Sequence, residues 1–263
     1  MSNQQLAATI DVQRRGEHVA VVTITRPEAR NAINAQVAKA MEEAVTAIEA
    51  DEAIRAVVLT GSGERAFCSG ADLRAVAAGQ LDDLFTASGG FAGFVNARRR
   101  KPWIAAVNGF ALAGGCEIAL ACDMVLAVPD ARFGLPEVTR GLIASAGGLY
   151  RLPRALPRAV AFELIATGQP IDAARAYALG LVNRICEPDA LLDDAVTLAN
   201  QIASNAPLAV TESLRLARLA AMTDDDTLRQ AGDEAQARLA TTADFTEGAL
   251  AFVEKRVPRW QGR

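Results

Sequence analysis

The chain has 263 residues, 51% of them hydrophobic and 22% charged, with a formal net charge of -4. At this length folding buries roughly three-quarters of the unfolded surface, so one large domain, alone or with an appendage, is expected and extensive disorder is excluded. The mild negative charge gives no general attraction to nucleic acid, and Cys68, Cys116, Cys122 and Cys186 show neither the CxxC spacing of a zinc site nor the density of a disulfide scaffold.

In chain order, residues 8 to 13 and 18 to 25 alternate like two strands, with a turn at Arg15 and Gly16, and Pro27 ends the hairpin. His18, the only histidine, sits at a strand edge, so an imidazole-based triad would have to use it, a zinc site would have to manage with one imidazole, and acid–base chemistry falls mainly to carboxylates. From Asn34, the residues Val37, Met41, Val45 and Ile48 recur at helical spacing, and the short β-branched block from Ala56 to Leu59 reads as a strand. The same alternation returns with a strand over 103–107, a helix from Gly114, a strand over 124–128, a helix over 158–167 and a strand over 181–185. Strands alternating with helices predict an α/β core.

Beyond about residue 190 the strands stop. Helices are predicted near 190–204, 207–219 and 226–240, and a last one from Asp244, with Asp244 and Glu247 as a capping box. These define a core over 1–190 and an all-helical appendage over 191–263, whose apolar faces pack on the core or on a neighbouring subunit. The run Arg98, Arg99, Arg100, Lys101 reads as a solvated helix end, with a phosphate contact as the alternative. No apolar run approaches the ~18 residues that cross a bilayer, and no leader pattern opens the chain, so a cytoplasmic protein without membrane contact is expected.

Four segments carry candidate chemistry. TGSGERA (60–66) fits a loose dinucleotide fingerprint, but Phe67, Cys68 and Gly70 interrupt the helix that fingerprint needs, which argues against a nicotinamide enzyme. AFCSGADL (66–73) alone reads as a glycine turn before a helix; its small residues Ser69, Gly70 and Ala71 also let backbone N–H groups meet a ligand. ALAGG (111–115) follows a strand and opens a helix, so the N–H groups near Gly114 combine unsatisfied donors with positive partial charge. Two such loops can converge on one oxygen. Glu117 lies in the first turn of that helix, inside an apolar run, and a buried carboxylate beside a glycine loop is a site candidate. In RFGLPEVTRG (132–141), Pro136 starts a further helix with Glu137 at its beginning. Two carboxylates on successive strand-to-helix loops can hold one water, one polarising it and the other managing a proton.

These segments, TRPEARNAIN (25–34), AFCSGADL, AAVNGFALAGGCEIALACD (105–123), ARFGLPEVTRGLIASAGG (131–148) and EGALAFVEKR (247–256), resemble the enoyl-CoA hydratase/isomerase, or crotonase, superfamily over nearly the whole chain. The resemblance implies an α/β spiral of ββα turns with a C-terminal helical trimerisation region, assembled as a homotrimer or homohexamer. It implies an oxyanion hole from the N–H groups of Ala71 and Gly114, and Glu117 and Glu137 as water-activating base and proton donor. Coenzyme A, as part of an acyl-CoA thioester substrate, is expected near Ala29, Arg30 and Ala32, along Ser69, Gly70, Ala71, Asp72, Leu73 and Arg74, and at Lys255, with no metal or redox cofactor. The implied reaction is reversible syn hydration of a 2-enoyl-CoA. GLIASAGG departs from the usual GTIPGAGG: Ala144 and Ser145 replace proline and glycine, and Ser145 brings a hydroxyl near the acyl pocket, which resembles the carnitinyl-CoA dehydratase branch. A polar acyl-CoA dehydratase, an enoyl-CoA isomerase, and a non-catalytic acyl-CoA-binding or RNA-binding relative are the alternatives.

Overall fold

The structure is a computed structural model and describes residues 9–263. Residue 8, the start of the first expected strand, lies outside them. The hairpin forms from β1 (Ile10–Arg15) and β2 (Val19–Ile24), antiparallel through a turn over 16–18. Helix α1 (Ala35–Ala50) starts where Asn34 caps it by accepting from the Val37 N–H at 3.0 Å, and buries Val37, Met41, Val45 and Ile48 along one stripe.

The chain then runs through β3 (Ala56–Gly61), β4 (Ala66–Cys68), α2 (Leu73–Ala77), the small hairpin β5 (Phe85–Thr86) and β6 (Gly90–Phe91), β7 (Trp103–Val107), β8 (Phe110–Leu112), α3 (Gly114–Ala121), β9 (Met124–Ala127) and β10 (Arg132–Gly134). It continues with α4 (Gly148–Ala155), α5 (Arg158–Thr167), β11 (Ile171–Asp172), α6 (Ala173–Ala178) and β12 (Arg184–Ile185). Two main sheets result, ordered β1-β2-β3-β7-β9-β12 and β11-β10-β8-β4. Consecutive strands alternate between them: β3, β7 and β9 lie side by side in the first, and their successors β4, β8 and β10 in the second. Each ββ pair leads into a helix or helical turn. This is a crotonase-type α/β fold.

From β2 to β12 the first sheet is parallel, and its inner strands are buried on both faces, which is why their sequences are unbroken apolar runs. Trp103 anchors the core, fully buried and edge-on to Phe94 at 5.1 Å. The expected strand over 181–185 shortens to Arg184–Ile185, because the chain first turns out of α6 and enters the sheet only at its edge.

The remaining helices are α7 (Leu191–Ala203), α8 (Pro207–Leu219), α9 (Asp225–Leu239) and α10 (Ala243–Glu254). α7 lies against β2, β3, β7 and β9 of the first sheet. α8 docks through Arg218, whose guanidinium pairs with both Asp123 oxygens at 2.7 Å and donates to the carbonyls of Arg99 and Lys101. The basic run thus ends no helix, and of its four members Arg98 and Arg100 are exposed while Arg99 and Lys101 are not. Arg99 is half-buried over the Phe94 ring and donates to the Phe94 and Ala121 carbonyls, while the buried Lys101 ammonium donates to the carbonyls of Ile48 and Asp51. Nor do Asp244 and Glu247 cap α10: Thr242 does, accepting from Phe245 N–H. Asp244 instead accepts from the N–H groups of Gln261 and Gly262, and Glu247 from Arg256 and the Arg259 N–H, so the pair ties down the chain end. Local spacing could not show this, because the tail that supplies those donors returns from 9 to 18 residues away.

Candidate active site

Strands β4, β8 and β10 are neighbours and mutually parallel, so the chain leaves all three at the same edge of the sheet. Adjacent strands lie ~4.8 Å apart, which brings the segments after Cys68, Leu112 and Gly134 within ~10 Å of one another. Those segments carry Ala71, Gly114 and Glu137, and Glu117 follows in the first turn of α3. Outside the carboxyl ends of parallel strands is where ligand sites of α/β sheets form.

The first loop is zipped to the chain before α1. The Ser69 N–H donates to the Arg30 carbonyl, the Ile33 N–H to Gly70 and the Asp72 N–H to Ile33, so the bridge between Ile33 and Ala71 turns the N–H of Ala71 away, toward the opposite edge. Gly114 is the first residue of α3 and its N–H has no acceptor within the helix. The two loops abut: a side-chain carbon on Gly70, whose φ is +91, would lie 2.9 Å from the Gly114 nitrogen. Between Leu112 and Gly114, Ala113 holds φ 52 and ψ -129, a conformation L-residues rarely adopt, with its N–H tied to the Gly134 carbonyl at 2.9 Å. Such strain costs ~1–3 kcal/mol and collects at functional loops.

Both carboxylates are buried. Glu117 is 3% exposed and its Oε1 accepts from the Gly148 N–H at 2.8 Å. Burial pushes its carboxyl up from 4.5 to about 7, against the Gly148 N–H and the charge of Arg151, with repulsion from Glu137 adding to the rise. Glu137 stands in the 3₁₀ turn Pro136–Arg140, with Pro136 at its first position as expected, and is 9% exposed. Burial raises its carboxyl too, and its Oε2 has no hydrogen-bond partner among the described residues. A buried, unpartnered carboxylate oxygen at a loop edge needs an explanation beyond packing.

Other residues named from the sequence fall in three places. Ala29, Arg30 and Ala32 lie on the segment zipped to Ser69–Asp72, and Leu73 and Arg74 begin α2 with exposed side chains. Ser145 is exposed on the turn before α4. Lys255 caps the far end of α10 in a left-handed conformation, and no hydrogen bond of its ammonium joins it to these loops among the described residues. Composition and spacing did not single out several supporting groups. Arg26 donates to the Ala32 carbonyl and pairs with Asp72 at 3.0 Å, and Asn31 ties Arg26 N–H to the carbonyls of Ser62 and Ala66. Burial alone would raise the Asp72 carboxyl, but Arg26 and the Arg74 N–H bring it below its ordinary value. Phe91 packs where a side chain on Gly114 would stand, and Arg151 grips the turn before α4.

The family model for enoyl-CoA hydratase/isomerase matches residues 14–263. A short-chain-enoyl-CoA hydratase of Clostridium acetobutylicum is 43% identical over 245 residues, 90% of this chain and 92% of that protein. A carnitinyl-CoA dehydratase of Proteus mirabilis is 38% identical over 263 residues, 98% of this chain and all of that one. The crystal structure of an enoyl-CoA hydratase from Mycobacterium marinum superimposes with a TM-score of 0.93 at 43% identity, covering 97% of this chain and 100% of that one. The chain belongs to the enoyl-CoA hydratase/isomerase family.

Proposed function

We propose that the protein is an enoyl-CoA hydratase, a hydro-lyase that adds water reversibly and syn across the 2,3 double bond of an enoyl-CoA thioester. The observation that carries this reading is the pair of buried carboxylates, Glu117 and Glu137, on loops leaving adjacent parallel strands, with the backbone N–H groups of Ala71 and Gly114 on the same strand-end loops. The N–H groups of Ala71 and Gly114 receive the thioester oxygen, and each such donor is worth ~2.7–4 kcal/mol once that oxygen gains charge. Glu117 takes a proton from water as the water oxygen bonds to C3. The double-bond electrons pass toward the held oxygen, and Glu137 delivers a proton to C2. Burial raises both carboxyls, Glu117 to about 7, which suits groups that must take up and give back a proton in the two directions of the reaction. The reaction calls on no metal or redox group; coenzyme A enters as part of the substrate, along Ala29–Ala32 and Ser69–Arg74.

A dehydratase acting on a polar acyl-CoA is the second reading, favoured by the exposed Ser145 hydroxyl beside Ala144 and by the full-length likeness to a protein named carnitinyl-CoA dehydratase. We assign residues 1–190 to the site-bearing core and 191–263 to assembly, since Phe252, Val253 and Val257 stand 86%, 77% and 83% exposed at the chain end and suit burial in a homotrimer or homohexamer. Four unpaired cysteines suit a cytoplasmic setting, and no helix among the described residues is long and apolar enough to cross a membrane.

The test is a panel of 2-enoyl-, 3-enoyl- and hydroxyacyl-CoA thioesters, followed by the absorbance of the conjugated enoyl thioester. Wild type should hydrate at least one 2-enoyl member, and Glu117→Gln and Glu137→Gln should each lower the rate ~100-fold or more with the oligomer intact. Near-wild-type rates in both variants would remove the assigned mechanism; CoA binding without turnover of any member would point to a binding protein.

A further inference from the structure

We propose that Arg151 is a positioning residue for this reaction: its guanidinium clamps the turn that serves Glu117 to the wall that backs Gly114. The inference rests on the hydratase reading above.

One side of the clamp is the turn before α4. Arg151 Nη1 donates to the Ala146 carbonyl at 3.1 Å, and two residues further on the Gly148 N–H donates to Glu117 Oε1. Between them Gly147 holds φ +115, and a side-chain carbon there would lie 2.0 Å from Nη1, so the guanidinium occupies the space that glycine leaves open. The other side is the segment after β6. Arg151 Nη2 donates to the Val95 carbonyl at 2.5 Å; the Val95 N–H donates to the Phe91 carbonyl, and a side-chain carbon on Gly114 would lie 2.4 Å from the Phe91 ring. One planar cation therefore joins the donor to the base with the support of the oxyanion loop. The two carbonyls are gripped by different nitrogens of one planar fork held at a fixed spacing, a geometry that a lysine ammonium, whose three donors share one nitrogen, does not reproduce.

The guanidinium also acts through its charge. Its positive field favours ionised Glu117, opposing the burial and the repulsion from Glu137 that push that carboxyl up. The groups facing Arg151 are Glu117 from α3 and Cys122 just past its end, Tyr150 and Arg154 on its own helix, with the Tyr150 ring 5.1 Å away, and Arg99 from the run preceding β7. Among these Glu117 is the only carboxylate.

The experiment compares wild type, Arg151→Met and Arg151→Lys by the pH profiles of kcat and kcat/KM for the best enoyl-CoA of the panel, and by infrared titration of the Glu117 carboxyl, assigned with Glu117→Gln. In Arg151→Met the acid limb and the infrared midpoint should both rise by ~0.5 pH or more. The kcat should fall ~10- to 100-fold, with KM within about twofold of wild type, because misplaced groups slow chemistry more than binding. Arg151→Lys should restore the midpoint and leave kcat low. An unmoved midpoint in Arg151→Met, or wild-type kcat in Arg151→Lys, overturns the proposal. If Arg151→Met does not fold, the kcat of Arg151→Lys decides alone. A wild type that turns over nothing removes the hydratase reading instead, and the infrared midpoint then still decides whether Arg151 acts on Glu117.

Discussion

Replacing Glu117 by glutamine should stabilise the folded protein at neutral and higher pH while lowering the hydration rate ~100-fold or more. Glu117 is 3% exposed, and burial lifts its carboxyl from 4.5 to about 7. The folded state therefore binds the proton more tightly than the unfolded chain does. The stability this provides is complete below pH ~4.5 and is lost as pH rises through ~7, where the buried group must ionise. Each pH unit between the two values is worth ~1.4 kcal/mol, so ionised Glu117 costs ~3 kcal/mol above pH 7. Glutamine is neutral at every pH, fits the same space and can still accept from the Gly148 N–H. Denaturant unfolding at fixed protomer concentration should find Glu117→Gln ~2–3 kcal/mol more stable than wild type at pH 8 and nearly equal to it at pH 4.5. Glu137, raised in the same direction, stays in both proteins and cancels to first order. A stability difference that did not change with pH would refute the claim that burial strains this anion. On the proposed mechanism the same group should set the acid limb of hydration, with activity expected to fall as pH drops below ~7 because a protonated Glu117 cannot accept from water.

Two further outcomes follow from the described contacts. Ala113→Gly should relieve the backbone at φ 52 and gain ~1 kcal/mol, the ~1–3 kcal/mol of strain less the entropy that glycine loses, measured by urea unfolding; a loss of stability would mean that the strain is not there. Asp244→Ala should leave the Gln261 and Gly262 N–H groups unpaired, cost ~1–3 kcal/mol and free the chain end, seen as faster proteolysis near Arg259; unchanged cleavage would show that the tail is held by other contacts.

Much of this protein is local and was therefore legible. The stripe Val37, Met41, Val45, Ile48 defines α1, the apolar runs over 56–59 and 103–107 define buried parallel strands, and Pro136 starts the turn bearing Glu137, because each depends on residues a few positions apart. Glu117 stood out for the same reason, as a carboxylate in an apolar helix just after two glycines. What needed the tertiary structure was convergence. Only the order of the second sheet puts the ends of β4, β8 and β10 side by side, and only that adjacency makes two glycine loops and two glutamates 20 residues apart into one candidate site. The same holds for Asp72 with Arg26, Asp244 with the chain end and Arg151 with Val95, whose partners lie 17 to 56 residues away. A charged side chain in a sequence records that a partner is needed, and the fold alone decides which backbone or side chain supplies it, because desolvation at the final position sets how much that partner is worth.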